Sequence, residues 1–254
     1  MIMSTTTPRE FFLSKIKNNI QNSGYHLYSI IGGQCPRYSY TIGLSESPMN
    51  SELVFAGGYC FDAEEVAKII KFSVDFLRDK NITNSTIMNY KGLVEFRFQE
   101  IDPTWIKILL LGCMDYYSTE NISGYQIIPD KKFMTKEIPD MNCPYNPKTE
   151  PVWRWLTESW SYDVPKNSTA ATNLSSLKGD TIIEAFRWED DYWELFSYPG
   201  DLVSKDDHVV VPLGILLAMD ATLEIVTKLN VNQGLWRDDV NSRWNNWSTI
   251  DRDM

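Results

Sequence analysis

The sequence predicts an α+β fold: a mainly antiparallel sheet packed by helices in an N-terminal domain, followed by a smaller α+β C-terminal domain. Three observations carry this. Over the first half, helical and strand periodicities follow the order αβββαβαβ, without the regular βαβ repetition of a doubly wound parallel sheet. An apolar fraction of 43%, with 13% aromatics, is enough in 254 residues for one large core or two smaller ones. Loop-like stretches at 142–148 and 167–178 set that half apart from a second run of strands and helices. They place domains at 1–150 and 179–254, with a linker over 151–178.

The elements follow in order. Thr7-Pro8-Arg9-Glu10 reads as an N-cap, a proline at the first helical position and an acid at the third. Phe12, Ile16 and Ile20 then recur every four residues, and Gly24 ends this helix. Residues 25–31 and 37–44 are β-rich runs separated by Gly32-Gly33-Gln34, which suits a hairpin, and 52–56 is a third strand before Gly57-Gly58. Asp62-Ala63-Glu64-Glu65 forms a capping box for a helix with Val66, Ile69, Ile70, Ser73 and Leu77 on one face. In 92–101, Leu93, Glu95, Arg97 and Gln99 alternate with Val94, Phe96 and Phe98, the pattern of a half-buried antiparallel strand. Asp102-Pro103 opens a helix to about Tyr117, and a strand over 125–128 ends at Pro129. Beyond the junction, strands are expected at 181–188, 192–197 and 209–211, the second followed by a turn at Pro199-Gly200-Asp201. A helical region over 212–229 completes the set, with Asp220 capping a segment that carries Leu223, Val226 and Leu229.

The formal net charge of −10 argues against a nucleic-acid or anionic-membrane binder. No apolar run nears the roughly 18 residues of a membrane span, and the N-terminus shows no secretory signal, so a cytoplasmic location is expected. Cys35, Cys60, Cys113 and Cys143 are too scattered for a metal knuckle or a disulfide scaffold and are expected to be reduced. No catalytic set is legible. His26 and His208 are the only histidines, Gly-x-Ser-x-Gly is absent, and Gly32-Gly33 and Gly57-Gly58 lack the Lys-Ser/Thr of a phosphate loop. Gly57-Gly58 does precede the Asp62-capped helix, where its amides suit an anion. No cofactor and no metal are expected, because the acidic clusters lack the alternating ligands and glycine of a calcium loop.

The charge is uneven. Residues 1–150 hold 15 Lys+Arg and 17 Asp+Glu, whereas 151–254 hold 9 and 17, together with eight of the nine tryptophans. Carboxylates steer and pair with a cationic protein while tryptophan supplies anchor area. Glu189, Asp190, Asp191, Asp206 and Asp207 are the candidates for steering and pairing, with Trp193 and Trp236 as anchors. Taken singly, each tryptophan reads more simply as core and each acidic cluster as an exposed turn.

Tyr38-Ser39-Tyr40-Thr41-Ile42-Gly43-Leu44 followed by Ser51-Glu52-Leu53-Val54-Phe55 resembles the domain-of-unknown-function family 4262. That family shows a Gly-aromatic strand, matched by Gly24-Tyr25, then an aromatic-Thr-x-Gly-Leu motif and a Pro-Glu-Leu strand start. Ser51 stands where the proline would be. With Tyr116-Tyr117 and Gln126-Ile127-Ile128-Pro129-Asp130 the resemblance spans roughly 8–140, and it implies a fold without implying an activity. The last third is similar to bacterial immunity-type modules through Trp193-Glu194-Leu195-Phe196, Val211-Pro212-Leu213-Gly214, Asp220-Ala221-Thr222-Leu223 and a terminal Arg237/Trp244 pair suited to cation–π stacking.

The function expected is therefore an immunity protein, not an enzyme, that neutralises a cognate protein toxin with a basic surface, such as a nuclease. The alternative is a small-molecule sensor or enzyme with a pocket at Tyr38, Tyr40, Thr41, Glu95 and Arg97.

Overall fold

The computed structural model describes residues 7–80, 82–204 and 207–248. Helices and two six-stranded sheets make an α+β fold, and antiparallel pairs dominate each sheet.

Helix α1 (Pro8–Ser23) starts on a reciprocal box: Thr7 Oγ1 accepts the Glu10 amide, and Glu10 Oε2 accepts the Thr7 amide at 2.7 Å. The hairpin of β1 (His26–Ile30) and β2 (Tyr38–Ile42) leads to β3 (Glu52–Ala56). Helix α2 (Ala63–Leu77) is capped by Asp62, which accepts the Glu65 amide. A second hairpin, β4 (Ile87–Tyr90) and β5 (Val94–Glu100), precedes α3 (Pro103–Leu109), α4 (Leu111–Tyr117) and β6 (Gly124–Pro129). The sheet order is β1-β2-β3-β6-β5-β4, with β3 and β6 parallel. Alternation along the strands feeds two cores. Tyr40, Ile42, Val54 and Ala56 pack with Ile16, Trp105 and Cys113 from α1, α3 and α4. Leu53, Phe55, Phe96 and Phe98 pack with Val66 and Ile69 from α2.

The periodicity predicts one helix from 103 to about 117, but the chain breaks at Leu110, with φ −93° and ψ 41°. The break leaves the Gly112 amide in a first helical turn, without an intrahelical acceptor. It donates instead to Tyr40 Oη at 3.0 Å, and a Cβ at 112 would lie 2.7 Å from that oxygen.

The second sheet comprises β7 (Thr169–Asn173), β8 (Glu184–Glu189), β9 (Tyr192–Phe196), β10 (His208–Pro212), β11 (Gln233–Trp236) and β12 (Asn245–Ser248). Its order is β10-β7-β9-β8-β11-β12, with β7 and β9 parallel. The helices α5 (Leu174–Lys178) and α6 (Leu213–Met219) and the 3₁₀ segments Pro151–Leu156 and Ala221–Lys228 accompany it. On its inner face Ala185, Trp193, Leu195 and Leu235 share one core with Leu213, Leu223 and Val226.

Residues 151–178 are not the expected linker. Trp153 is fully buried, and β7 lies inside the sheet between β10 and β9. The strand is Thr-Ala-Ala-Thr-Asn, too small and polar to show an apolar alternation, because burial on both sides there demands small side chains more than apolar ones. Trp153 makes the interior continuous. It meets Trp105 edge-on at 5.8 Å and Tyr38 at 6.1 Å, and its indole N–H donates to the Glu137 carbonyl at 2.9 Å. One core runs through it from Ile16 and Tyr40 to Trp193 and Leu213. No helix among the described residues is long and apolar enough to cross a membrane.

Candidate functional site

Glu189, Asp190 and Asp191 form the exposed turn between β8 and β9. Arg187 organises it from within. Its Nε donates to the Glu189 carbonyl at 3.2 Å, Nη2 to the Asp190 carbonyl at 2.8 Å and Nη1 to the Leu229 carbonyl at 2.6 Å. The guanidinium also stacks 4.7 Å from the centre of the Trp193 ring. This cation is spent on backbone and an indole, and none of the three carboxylates enters an ion pair among the described residues.

The two expected acidic clusters do not meet. Thr169 pairs with Tyr192, beside the 189–191 turn, whereas His208, next to exposed Asp207, pairs with Asn173 at the other end of β7. Four residue steps of strand, about 13 Å, separate them. Asp206 lies outside the described residues.

Trp193, expected as an anchor, is core. It stands opposite Arg187 on the inner face, fully buried, with its N–H donating to the Val226 carbonyl at 3.3 Å. Trp236 is 41% exposed and keeps the outward role.

The outer face of this sheet holds what the sequence did not single out. Residues paired across strands point to the same side. One row therefore runs Trp247, Gly234, Phe186, Glu194, Ala171, Val210 across all six strands. A neighbouring row holds Asn245, Trp236, Glu184 and Phe196, with His208 5.1 Å from the Phe196 ring. Gly234 makes the first row possible: a Cβ there would lie 2.7 Å from Phe186 and 2.8 Å from Trp247, whose rings meet at a 31° tilt with centroids 5.1 Å apart. Trp236 and Val210 (56% exposed) flank this aromatic band, and Glu184 and Glu194 stand half-buried within it. The alternation Glu184, Phe186, Trp188 along β8 is the signal in the sequence that marks this side.

The pocket expected from Tyr38, Tyr40, Thr41, Glu95 and Arg97 is not assembled. Tyr40 is buried against Gly112, while Thr41 turns to the opposite side and donates to Glu52 Oε2 at 2.6 Å. Tyr38 is half-buried against Trp153. Glu95 and Arg97 are exposed on β5, separated from β2 by β3 and β6. The strand pattern could not show this, because adjacent residues of one strand face opposite ways.

The motif from Tyr40 to Leu44 instead builds a seat for a buried carboxylate. Glu52 is fully buried, and its Oε1 accepts from the Gly43 amide (3.1 Å), the Ser45 amide (2.9 Å) and Tyr117 Oη (2.5 Å). The Gly57-Gly58 turn, expected to suit an anion, holds an internal one: the Gly58 and Tyr59 amides each donate to Glu137 Oε1 at 3.1 Å. His26 is buried and paired with Asn19 Nδ2 through Nδ1 at 2.7 Å, and burial holds its pKa below the usual value. Among the described residues no group of three or more His, Cys, Asp or Glu is placed to hold a metal ion.

Three arginines of the second half, Arg154, Arg187 and Arg237, lie against indoles, whereas Arg243 is exposed. Arg154 stacks on Trp155 at 4.2 Å, and Arg187 on Trp193. Arg237 is buried, stacks on Trp244 at 4.2 Å as the sequence suggested, and pairs with Asp220 at 2.8 Å. Burial of side chains this polar requires such partners. Glu158, Asp163, Asp180, Asp201, Glu224, Asp238 and Asp239 are by contrast exposed. Comparison with known proteins finds no matching family model, no matching curated protein and no matching solved structure.

Proposed function

We propose that this chain binds and blocks a cationic protein, a toxin with a basic surface, as an immunity protein does. The observation that carries the reading is the surface charge of residues 151–254: among the described residues exposed carboxylates far outnumber exposed cations, and Arg154, Arg187 and Arg237 are stacked on indoles. A face of this kind speeds encounter with a basic groove through long-range attraction, and exposed Trp236 and Val210 supply apolar area once contact is made.

The test is co-expression with the product of the adjacent gene. The expected result is growth rescue and co-purification of the two proteins. Asp190→Lys with Asp191→Lys is expected to slow association by about tenfold at low salt, with the difference shrinking as salt rises. A harmless neighbour product, or a toxic one that the protein neither binds nor neutralises, overturns the reading. Binding that ignores both the charge reversal and salt would relocate the contact to an apolar surface.

A further inference from the structure

A cleft of about 520 Å³ opens where the first half meets the second, away from the acidic turn. Its volume falls in the range of small-molecule sites, about 300–1,000 Å³. Segments distant in sequence line it, so it exists only in the folded chain: Glu150 and Val152 from one, Asp180 from another, Leu216 and Met219 from α6.

The lining has an apolar floor and an unbalanced charge. Half-buried Ala218 and Met219 and exposed Val240 present apolar surface above buried Val152 and Leu216. Asp220, also at the wall, is already matched: Arg237 Nη2 donates to it at 2.8 Å and Thr222 at 2.6 Å. Glu150 and Asp180 are not matched by any ion pair among the described residues. The Glu150 carboxylate accepts a single amide hydrogen bond, from Asp140 at 3.2 Å. Lys136 is the one cation at the wall among the described residues, its stem lying over Gly179 so closely that a Cβ there would meet its Cε at 2.9 Å. Two unmatched carboxylates against one ammonium leave a net negative cleft over an apolar floor.

We infer that this cleft binds a small organic cation, an ammonium group carried on an apolar body. The ammonium replaces the missing partner of Glu150 and Asp180 in a partly desolvated setting, where a charge-assisted hydrogen bond is stronger than in water. The apolar body covers Ala218, Met219 and Val240. The inference is independent of the proposed protein partner, because it uses no residue of the acidic turn or of the outer sheet face.

The test is a titration of the isotopically labelled full chain, followed by amide chemical shifts, with n-hexylammonium and its two isosteric controls, n-hexanol and hexanoate. The expected result is saturable shifts at 150–152, 179–182 and 216–220 with hexylammonium, and at least tenfold weaker binding of both controls. Asp180→Asn, at an exposed position, is expected to weaken hexylammonium at least threefold, and Glu150→Gln with Asp180→Asn at least tenfold, with unchanged circular dichroism. Equal binding of hexanol and hexylammonium, or shifts that do not saturate at these positions, would overturn the inference. Asp190→Lys with Asp191→Lys, which tests the protein-binding reading, is expected to leave this titration unchanged.

Discussion

Trp153→Ala tests whether the two sheets are held as one unit. The indole is fully buried, touches Trp105 and Tyr38 edge-on, and donates to the Glu137 carbonyl. Truncating a buried tryptophan costs about 3–5 kcal/mol. Two edge-to-face pairs and one orphaned buried carbonyl place this site near the top of that range, at about 5 kcal/mol. Against a total stability of about 5–15 kcal/mol, this is a third or more. With a slope near 3 kcal/mol per molar urea, the midpoint should fall by about 1.5 M, and Tm by about 10–20 °C. The assay is urea unfolding followed in parallel by far-ultraviolet circular dichroism and tryptophan fluorescence. Trp153→Phe, which keeps an aromatic ring but loses the N–H, should lose about half as much. A loss below about 2 kcal/mol for Trp153→Ala, with an unchanged transition, would refute the claim that this side chain joins the two sheets.

Two further perturbations probe buried charge. Arg237→Ala removes a guanidinium that donates to the Ile182 carbonyl, Thr222 and Asp220 at 2.8 Å each, and breaking a buried pair of this kind costs about 3–5 kcal/mol in urea unfolding. Burial pushes the Asp220 carboxyl up, but its bonds to Thr222 and Arg237 outweigh this and hold its pKa below the usual value. Its contribution to stability is therefore present above the ordinary aspartate pKa, about 3.9, and is lost as pH falls through the lower folded value. Asp220→Asn should flatten that acid limb, and an unchanged limb would count against the pair. Glu137 behaves in the opposite sense. Burial raises its carboxyl pKa despite hydrogen bonds from Thr135, Tyr59 and Gly58, so the folded chain holds this proton more tightly than the unfolded chain does. Its contribution is fully present below the ordinary glutamate pKa, about 4.3, and declines as pH rises through the folded value. Glu137→Gln should remove that decline, and equal pH dependence of variant and parent in thermal melts would refute it.

Much of the fold was legible because its signals are local. Thr7, Asp62 and Asp220 cap helical segments as their neighbours in sequence suggested, and the alternation in 92–101 became β5. What was illegible lacked a local signal. Strand β7 is made of small residues, and β11 contains Gly234, which weakens a strand until Phe186 and Trp247 close over it. The break at Leu110 depends on Tyr40, some 70 residues away in sequence, to accept the Gly112 amide.

For the site, the sequence alone determined the charge asymmetry, the clustering of tryptophan in the second half and the absence of a phosphate loop or a nucleophile elbow. Only the tertiary structure decided that Trp193 is core and Trp236 surface, that the acidic turn and Asp207 stand at opposite ends of a sheet, and that Glu150 and Asp180 share a cleft. The physical reason is that periodicity assigns a residue to one side of its own element, whereas burial of that side depends on which distant elements pack against it. Charge, by contrast, is counted without knowing the fold. The arrangement that gives it a direction, with Arg154, Arg187 and Arg237 on indoles and most carboxylates outward, had to await the packing of the second sheet.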